Sequence, residues 1–179
     1  MQFQYNDGGR LASGYKGSTR DCVVRAVTIV SELPYQEVYD ALSEGCRNQR
    51  LTKRSVKKSS ARNGVNVKRK WFKDYMKAIG FTWTPTMLIG SGCKVHLTDG
   101  ELPSGRLIVS VSRHYTSVID GVIHDTHDPQ REVYHREPYR GQELKDGQWL
   151  AKSAGRAGLG GYSLSWVSKR CVYGYWERE

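Results

Sequence analysis

The sequence predicts an α+β domain, and three observations carry that prediction. Apolar residues recur at helical spacing only before about residue 80. From Phe81 onward they fall into short strand-like runs. An Asp120-Gly121 pair stands between two of those runs, the strongest short-range signal for a hairpin. Helices first and sheet second argue against alternating βαβ units. At roughly 100–200 residues per domain, 179 residues suit one domain, with a basic loop/helix insertion at about 47–77 and an irregular Gly-rich excursion at about 130–165.

The elements follow in order. Residues 1–18, with Asp7-Gly8-Gly9, Gly14, Gly17 and Ser18, read as turns and loop. Val23, Ala26, Val27 and Val30 then share a helical face, so a first helix begins near Cys22, with Ser18, Thr19 or Asp21 available as its N-cap. Pro34 suits the first turn of a second, short helix with Val38, Ala41 and Leu42 inward. Phe72, Tyr75, Met76 and Ile79 mark a third helix, and Gly80 sits where its C-terminal cap belongs. Strands are expected at 81–84, 106–112, 114–125 and 171–176. Gly141, Gly147, Gly155, Gly158, Gly160 and Gly161 give the stretch before the last strand its irregular character, and no repeat period is present.

Lys and Arg number 28 against 18 Asp and Glu. The excess is local. Arg47, Arg50, Lys53, Arg54, Lys57, Lys58, Arg62, Lys68, Arg69, Lys70, Lys73 and Lys77 face Asp74 alone, leaving the rest of the chain close to neutral. Such a segment attracts a polyanion or an acidic protein partner, or is simply a solvated loop. With 38% hydrophobic residues but 19 aromatics, the chain has the means to fill a core, which excludes wholesale disorder. No apolar run approaches the ~18–20 residues of a membrane span. The first residues lack the charged and apolar regions of a signal peptide, so the expectation is a soluble, cytoplasmic protein.

Cys22, Cys46, Cys93 and Cys171 form no close pair, so neither a zinc ribbon nor a structural disulfide is called for. Each is read singly. Cys22 stands out because a helix N-terminus favours the thiolate, although free cysteine is as often a buried core residue. The hairpin supplies partners. A two-residue turn at Asp120-Gly121 pairs residues whose numbers sum to 241, which places His114 diagonal to Asp125 on one face and sends His124 and Asp128 to the other. Asp125 is therefore the carboxylate able to orient His114. A thiol, an imidazole and an orienting carboxylate are the kit of cysteine nucleophilic catalysis, with Cys22, His114 and Asp125 as its members.

These residues resemble a family. Asp21-Cys22-Val23-Val24-Arg25-Ala26 opening a helix, with His114-Tyr115-Thr116-Ser117-Val118 and Ile123-His124-Asp125 on adjacent strands, resembles the papain-like cysteine peptidase superfamily. The bacteriocin-processing (C39-like) peptidases have the most similar pattern. The cell-wall peptidases of the NlpC type are similar in their Asp-Cys and histidine strand, without a Ser-Gly after the cysteine here. The whole chain also resembles small uncharacterised phage and prophage proteins, which implies a host-cell cytoplasmic setting. The superfamily resemblance covers residues 18–32 and 106–129 and implies a papain-like fold with helices bearing the nucleophile packed on an antiparallel sheet. It implies hydrolysis of an amide, peptide or isopeptide bond, with no cofactor. Papain-like enzymes place an oxyanion-hole Gln about six residues before the cysteine; this chain has Lys16, then Gly17, Ser18 and Thr19. Backbone N–H groups at the helix start, or Gln4 and Asn6 if the N-terminal loop folds back, are the substitutes.

Two other readings remain. His114, Asp125 and His127 form a two-histidine, one-carboxylate set suited to Zn²⁺ or Fe²⁺, with Cys22 a fourth ligand. Alternatively the fold is inactive and the basic segment, with Trp71, Phe72 and Tyr75 interleaved, is a nucleic-acid- or host-protein-binding surface.

Overall fold

A computed structural model describes residues 1–50, 60–138, 142–143, 149–150 and 162–178. In chain order the elements are β1 (Gln2–Tyr5), α1 (Cys22–Ser31), α2 (Tyr35–Asn48), a 3₁₀ turn (Ala61–Asn63), α3 (Lys70–Ala78), β2 (Phe81–Pro85), β3 (Arg106–Val111), β4 (His114–Ile119), β5 (Val122–Asp125), β6 (Glu132–Pro138), β7 (Gln142–Glu143), β8 (Trp149–Leu150), β9 (Tyr162–Lys169) and β10 (Val172–Arg178). The class is α+β. The chain divides into two compact units, Arg131–Lys169 and the remainder.

In the larger unit, three helices pack on a mixed six-stranded sheet of order β1-β5-β4-β3-β10-β2. Only β1 runs parallel to its neighbour. The alternation of side chains along β3 splits the core in two. Ile108 joins Val24, Val27 and Val30 of α1, Val38 and Leu42 of α2, Phe72 and Met76 of α3, and Trp176 of β10. Leu107, Val109 and Val111 instead join Val118, Ile123, Val172 and Leu97. Residues Val23 to Ser31 of α1 are all buried, as expected of a helix apolar nearly all round its circumference.

The expected strands appear, and the hairpin register is as the Asp120-Gly121 turn requires: Val118 opposes Ile123 and Ile119 opposes Val122. Five features differ. Gln2–Tyr5, read as loop, is a strand, since its backbone completes the exposed edge of β5. α2 begins immediately after Pro34 and runs 14 residues, longer than the short helix expected. Asp21 occupies the N-cap position of α1 without making a capping hydrogen bond, because its carboxylate is engaged elsewhere. Residues 132–138 pair antiparallel with 162–169, and 142–143 with 149–150, so much of the stretch read as irregular is β ribbon; its six glycines lie outside the described residues. Cys93 and Cys171 are disulfide-bonded, a pairing hidden by their separation of 78 residues.

Of the basic segment, Lys53, Arg54, Lys57 and Lys58 lie outside the described residues. Arg47 is exposed in the last turn of α2, Arg50 beyond it, and Arg62, Lys68, Lys70, Lys73 and Lys77 are exposed between the 3₁₀ turn and the end of α3, whereas Arg69 is half-buried. Its aromatics serve packing: Phe72 is fully buried, and the Trp71 ring lies against Gly45, where any Cβ would run into it. Phe72 is therefore withdrawn from any stacking on a base, while Trp71 and Tyr75 are half-buried. No described helix is long and apolar enough to cross a membrane.

Candidate active site

Cys22 is the first residue of α1 and only partly exposed, so its sulfur sits where the first-turn N–H groups have no intrahelical acceptor. It hydrogen-bonds to His114, the first residue of β4, and to the backbone N–H of Tyr115. His114 Nε2 lies 2.6 Å from Asp125 Oδ2. With Nε2 committed to the carboxylate, Nδ1 is the ring nitrogen left to face sulfur. All three residues singled out from the sequence therefore meet in one chain of hydrogen bonds, donated by the start of a helix, the start of one strand and the end of the next.

The electrostatics follow from that chain. Burial alone would raise the Cys22 thiol, but the His114 hydrogen bond and charge, the Tyr115 N–H and the Arg25 charge outweigh it and leave the thiol below its ordinary value. Burial would likewise depress His114, whereas its bonds to Asp125 and Cys22 carry it up to about 9. Asp125, despite the upward push of burial, is held below the usual carboxylate value, chiefly by His114. Each partner stabilises the charged form of the next.

Behind the triad lies a buried polar network. Asp125 Oδ1 accepts the Thr126 N–H at 2.7 Å, and the Asp125 carbonyl accepts Asn6 N–H at 2.9 Å. Arg25 Nη2 is 3.9 Å from Asp125 Oδ1, while Nη1 of the same side chain pairs with Asp21. Asp21 also accepts from Arg10 Nε at 2.9 Å and from the Tyr35 hydroxyl at 2.6 Å. Arg10 Nη2 donates to the carbonyls of Lys16 and Gly17, tying down the loop that leads to the nucleophile. Arg10, Asp21, Arg25 and Tyr35 were not singled out as site residues. The one available signal was an Asp and an Arg one helical turn apart beside a candidate nucleophile, a pattern also made by ordinary surface pairs.

A cleft of about 660 Å³ opens over this arrangement, with Cys22, Val23, His114 and Val67 in its wall. Neither Gln4 nor Asn6 lines it: Gln4 is in β1 opposite His124, and the Asn6 carboxamide oxygen accepts the Gly8 N–H. The donors left for an oxyanion are the backbone N–H groups where α1 begins. His127 does line the cleft, its ring 4.9 Å from that of His114.

His114, Asp125 and His127 bring their ligand atoms within 4.8 Å of one another. Two ligands at about 2.0–2.2 Å from a tetrahedral Zn²⁺ stand about 3.3–3.6 Å apart. The 2.6 Å contact between His114 and Asp125 is a hydrogen-bond distance instead, so the carboxylate fits an orienting role better than a shared ion. Comparison with protein-family models, curated proteins and solved structures finds no match for this chain.

Proposed function

We propose that the protein is a cysteine hydrolase on a papain-like arrangement, cleaving an amide, peptide or isopeptide bond with Cys22, His114 and Asp125. The observation that supports it is the continuous hydrogen-bond chain from a helix-terminal thiol through imidazole to a buried carboxylate. Cys22 attacks the substrate carbonyl as thiolate, forming the S–C bond. The oxyanion that develops faces the first N–H groups of α1. The His114 imidazolium then protonates the leaving nitrogen as the C–N bond breaks. Water, losing a proton to His114, attacks the thioester, and the acid product leaves as sulfur regains its thiolate. Asp125 holds the imidazole with Nδ1 toward sulfur throughout. The basic residues from Arg47 to Lys77 would bring an acidic substrate or partner to the same molecule.

The test is the pH dependence of Cys22 alkylation, followed by mass spectrometry in the native protein and in His114→Ala. The expected result is reaction well below the pH range of a free thiol, pKa about 8.5, and loss of that reactivity on substitution. A Cys22 that stays inert until the protein unfolds would overturn the proposal.

A further inference from the structure

Every formally charged side chain lining the cleft over Cys22 other than that thiol is basic. Arg20 and Arg113 line it together with Arg25, and no Asp or Glu does. A second depression, of about 270 Å³, shares Thr19, Arg20 and Asn63 with the first and adds Arg62 and Ser18, again with no acidic residue. Arg25 is neutralised by Asp21, but Arg20, Arg62 and Arg113 are exposed and make no ion pair among the described residues. Two of them share one built junction: the Arg62 carbonyl accepts both the Arg20 N–H at 3.0 Å and the Thr19 hydroxyl at 3.1 Å. Gathering like charges beside a nucleophile with no counter-ion works against folding, and an arriving anion reverses that cost.

Arg113 adds an independent sign. Its φ is 59°, a left-handed backbone that glycine adopts freely and an arginine adopts under strain. A long cation is kept at the lip of the cleft where the turn itself would favour glycine.

We infer that the cleft takes an acidic peptide, with carboxylate side chains within a residue or two of the scissile bond seated on Arg20 and Arg113 and, in the adjoining depression, on Arg62. This rests on Cys22 being the nucleophile. An acyl-transfer centre needs a carbonyl, which favours a peptide over a nucleic acid as the bearer of the charge.

The experiment compares two small alkylating agents of nearly equal size, anionic iodoacetate and neutral iodoacetamide, on Cys22. The readout is the ratio of their rates within each protein, which cancels changes in the thiolate population. The native ratio is expected to exceed that of free cysteine. It should fall about tenfold in the triple variant Arg20→Gln, Arg62→Gln, Arg113→Gly, and also on raising salt. Arg113→Gly alone relieves backbone strain, so a fall in its ratio does not come from a destabilised fold. A ratio unchanged in the variants, with both reagents reacting, overturns the inference and leaves the hydrolase reading intact. Failure of both reagents to reach Cys22 overturns both. Protection of Cys22 by a single-stranded oligonucleotide at lower concentration than by a glutamate-rich peptide also refutes the peptide assignment.

Discussion

Asp21→Asn removes one negative charge, at the residue before Cys22, without changing side-chain volume. Its carboxylate is 2% exposed and accepts from Arg10, Arg25 and Tyr35, whose two guanidiniums are only 13% and 10% exposed. The variant leaves both cations without this counter-ion and, in either orientation, turns a carboxamide N–H₂ toward a guanidinium, which can only donate. Breaking a buried ion pair by losing one partner costs about 3–5 kcal/mol. Arg10 is the more exposed cation and recovers some hydration, which puts the expected loss near the lower figure, about 3 kcal/mol. For a chain of this size each kcal/mol shifts Tm by about 2–4 °C, so thermal unfolding by circular dichroism should show a fall of about 6–12 °C. Asp74→Asn is the control: its pairing with Lys70 is exposed, at 53% and 88%, and should change stability by less than about 0.5 kcal/mol. A fall of under about 2 °C in Asp21→Asn would refute the argument, because the buried carboxylate would then hold nothing its exposed counterpart does not.

Further tests address the triad, the sheet and the disulfide. His114 is raised from 6.5 to about 9, so its stabilising contribution is complete below pH 6.5 and lost as pH rises through 9. The unfolding free energy should therefore fall as pH rises toward 9 in urea titrations, by less than His114 alone would give because the lowered Cys22 thiol contributes in the opposite sense, and the fall should vanish in His114→Ala. Asp125→Asn removes the charge that holds His114 up, so the upper inflection of the Cys22 alkylation profile should move to lower pH; an unmoved inflection would deny Asp125 its orienting role. Gly174 has φ 155°, and a Cβ there would run into the Trp83 ring and lie 2.7 Å from the Thr84 carbonyl oxygen, so Gly174→Ala should cost about 2–4 kcal/mol by denaturant titration. Reducing the Cys93–Cys171 bond frees a 78-residue separation, which by chain entropy is worth up to about 4.5 kcal/mol, and should lower Tm accordingly; no change would mean that the unfolded chain gains nothing from being released.

What was legible in the chain divides along physical lines. The His114–Asp125 pair could be read because a two-residue turn leaves the register no freedom: once Asp120-Gly121 is the turn, Asp125 and not Asp128 lies near His114. The helix faces were legible for the same local reason, the fixed 3.6-residue period. β1 was not. Gln2-Phe3-Gln4-Tyr5 is exposed along its whole length, so burial leaves no pattern in it, and its strand character comes from a partner about 120 residues away. Asp21 stands with Ser18 and Thr19 among the candidate caps because capping is what an aspartate before a helix usually does. That Arg10 and Tyr35 would claim it instead depends on three segments meeting in space. The Cys93–Cys171 pair has the same character: its two halves carry no mutual signal until the loop before β3 reaches the start of β10.

The position of β10 sets an order on events in the cell. It lies between β2 and β3, with Trp176 wedged against Phe72 and Trp83, so a strand far along the chain fills an interior place in the sheet and not its edge. A chain still emerging from the ribosome holds Cys22, His114 and Asp125 well before it holds Trp176, yet the sheet beneath them has a gap one strand wide. Because the pairings that close it join residues about 60 to 100 positions apart, closure comes late. The segments that carry Cys22, His114 and Asp125 thus exist before the sheet that supports them is closed, so any chemistry built on them waits on a strand far along the chain.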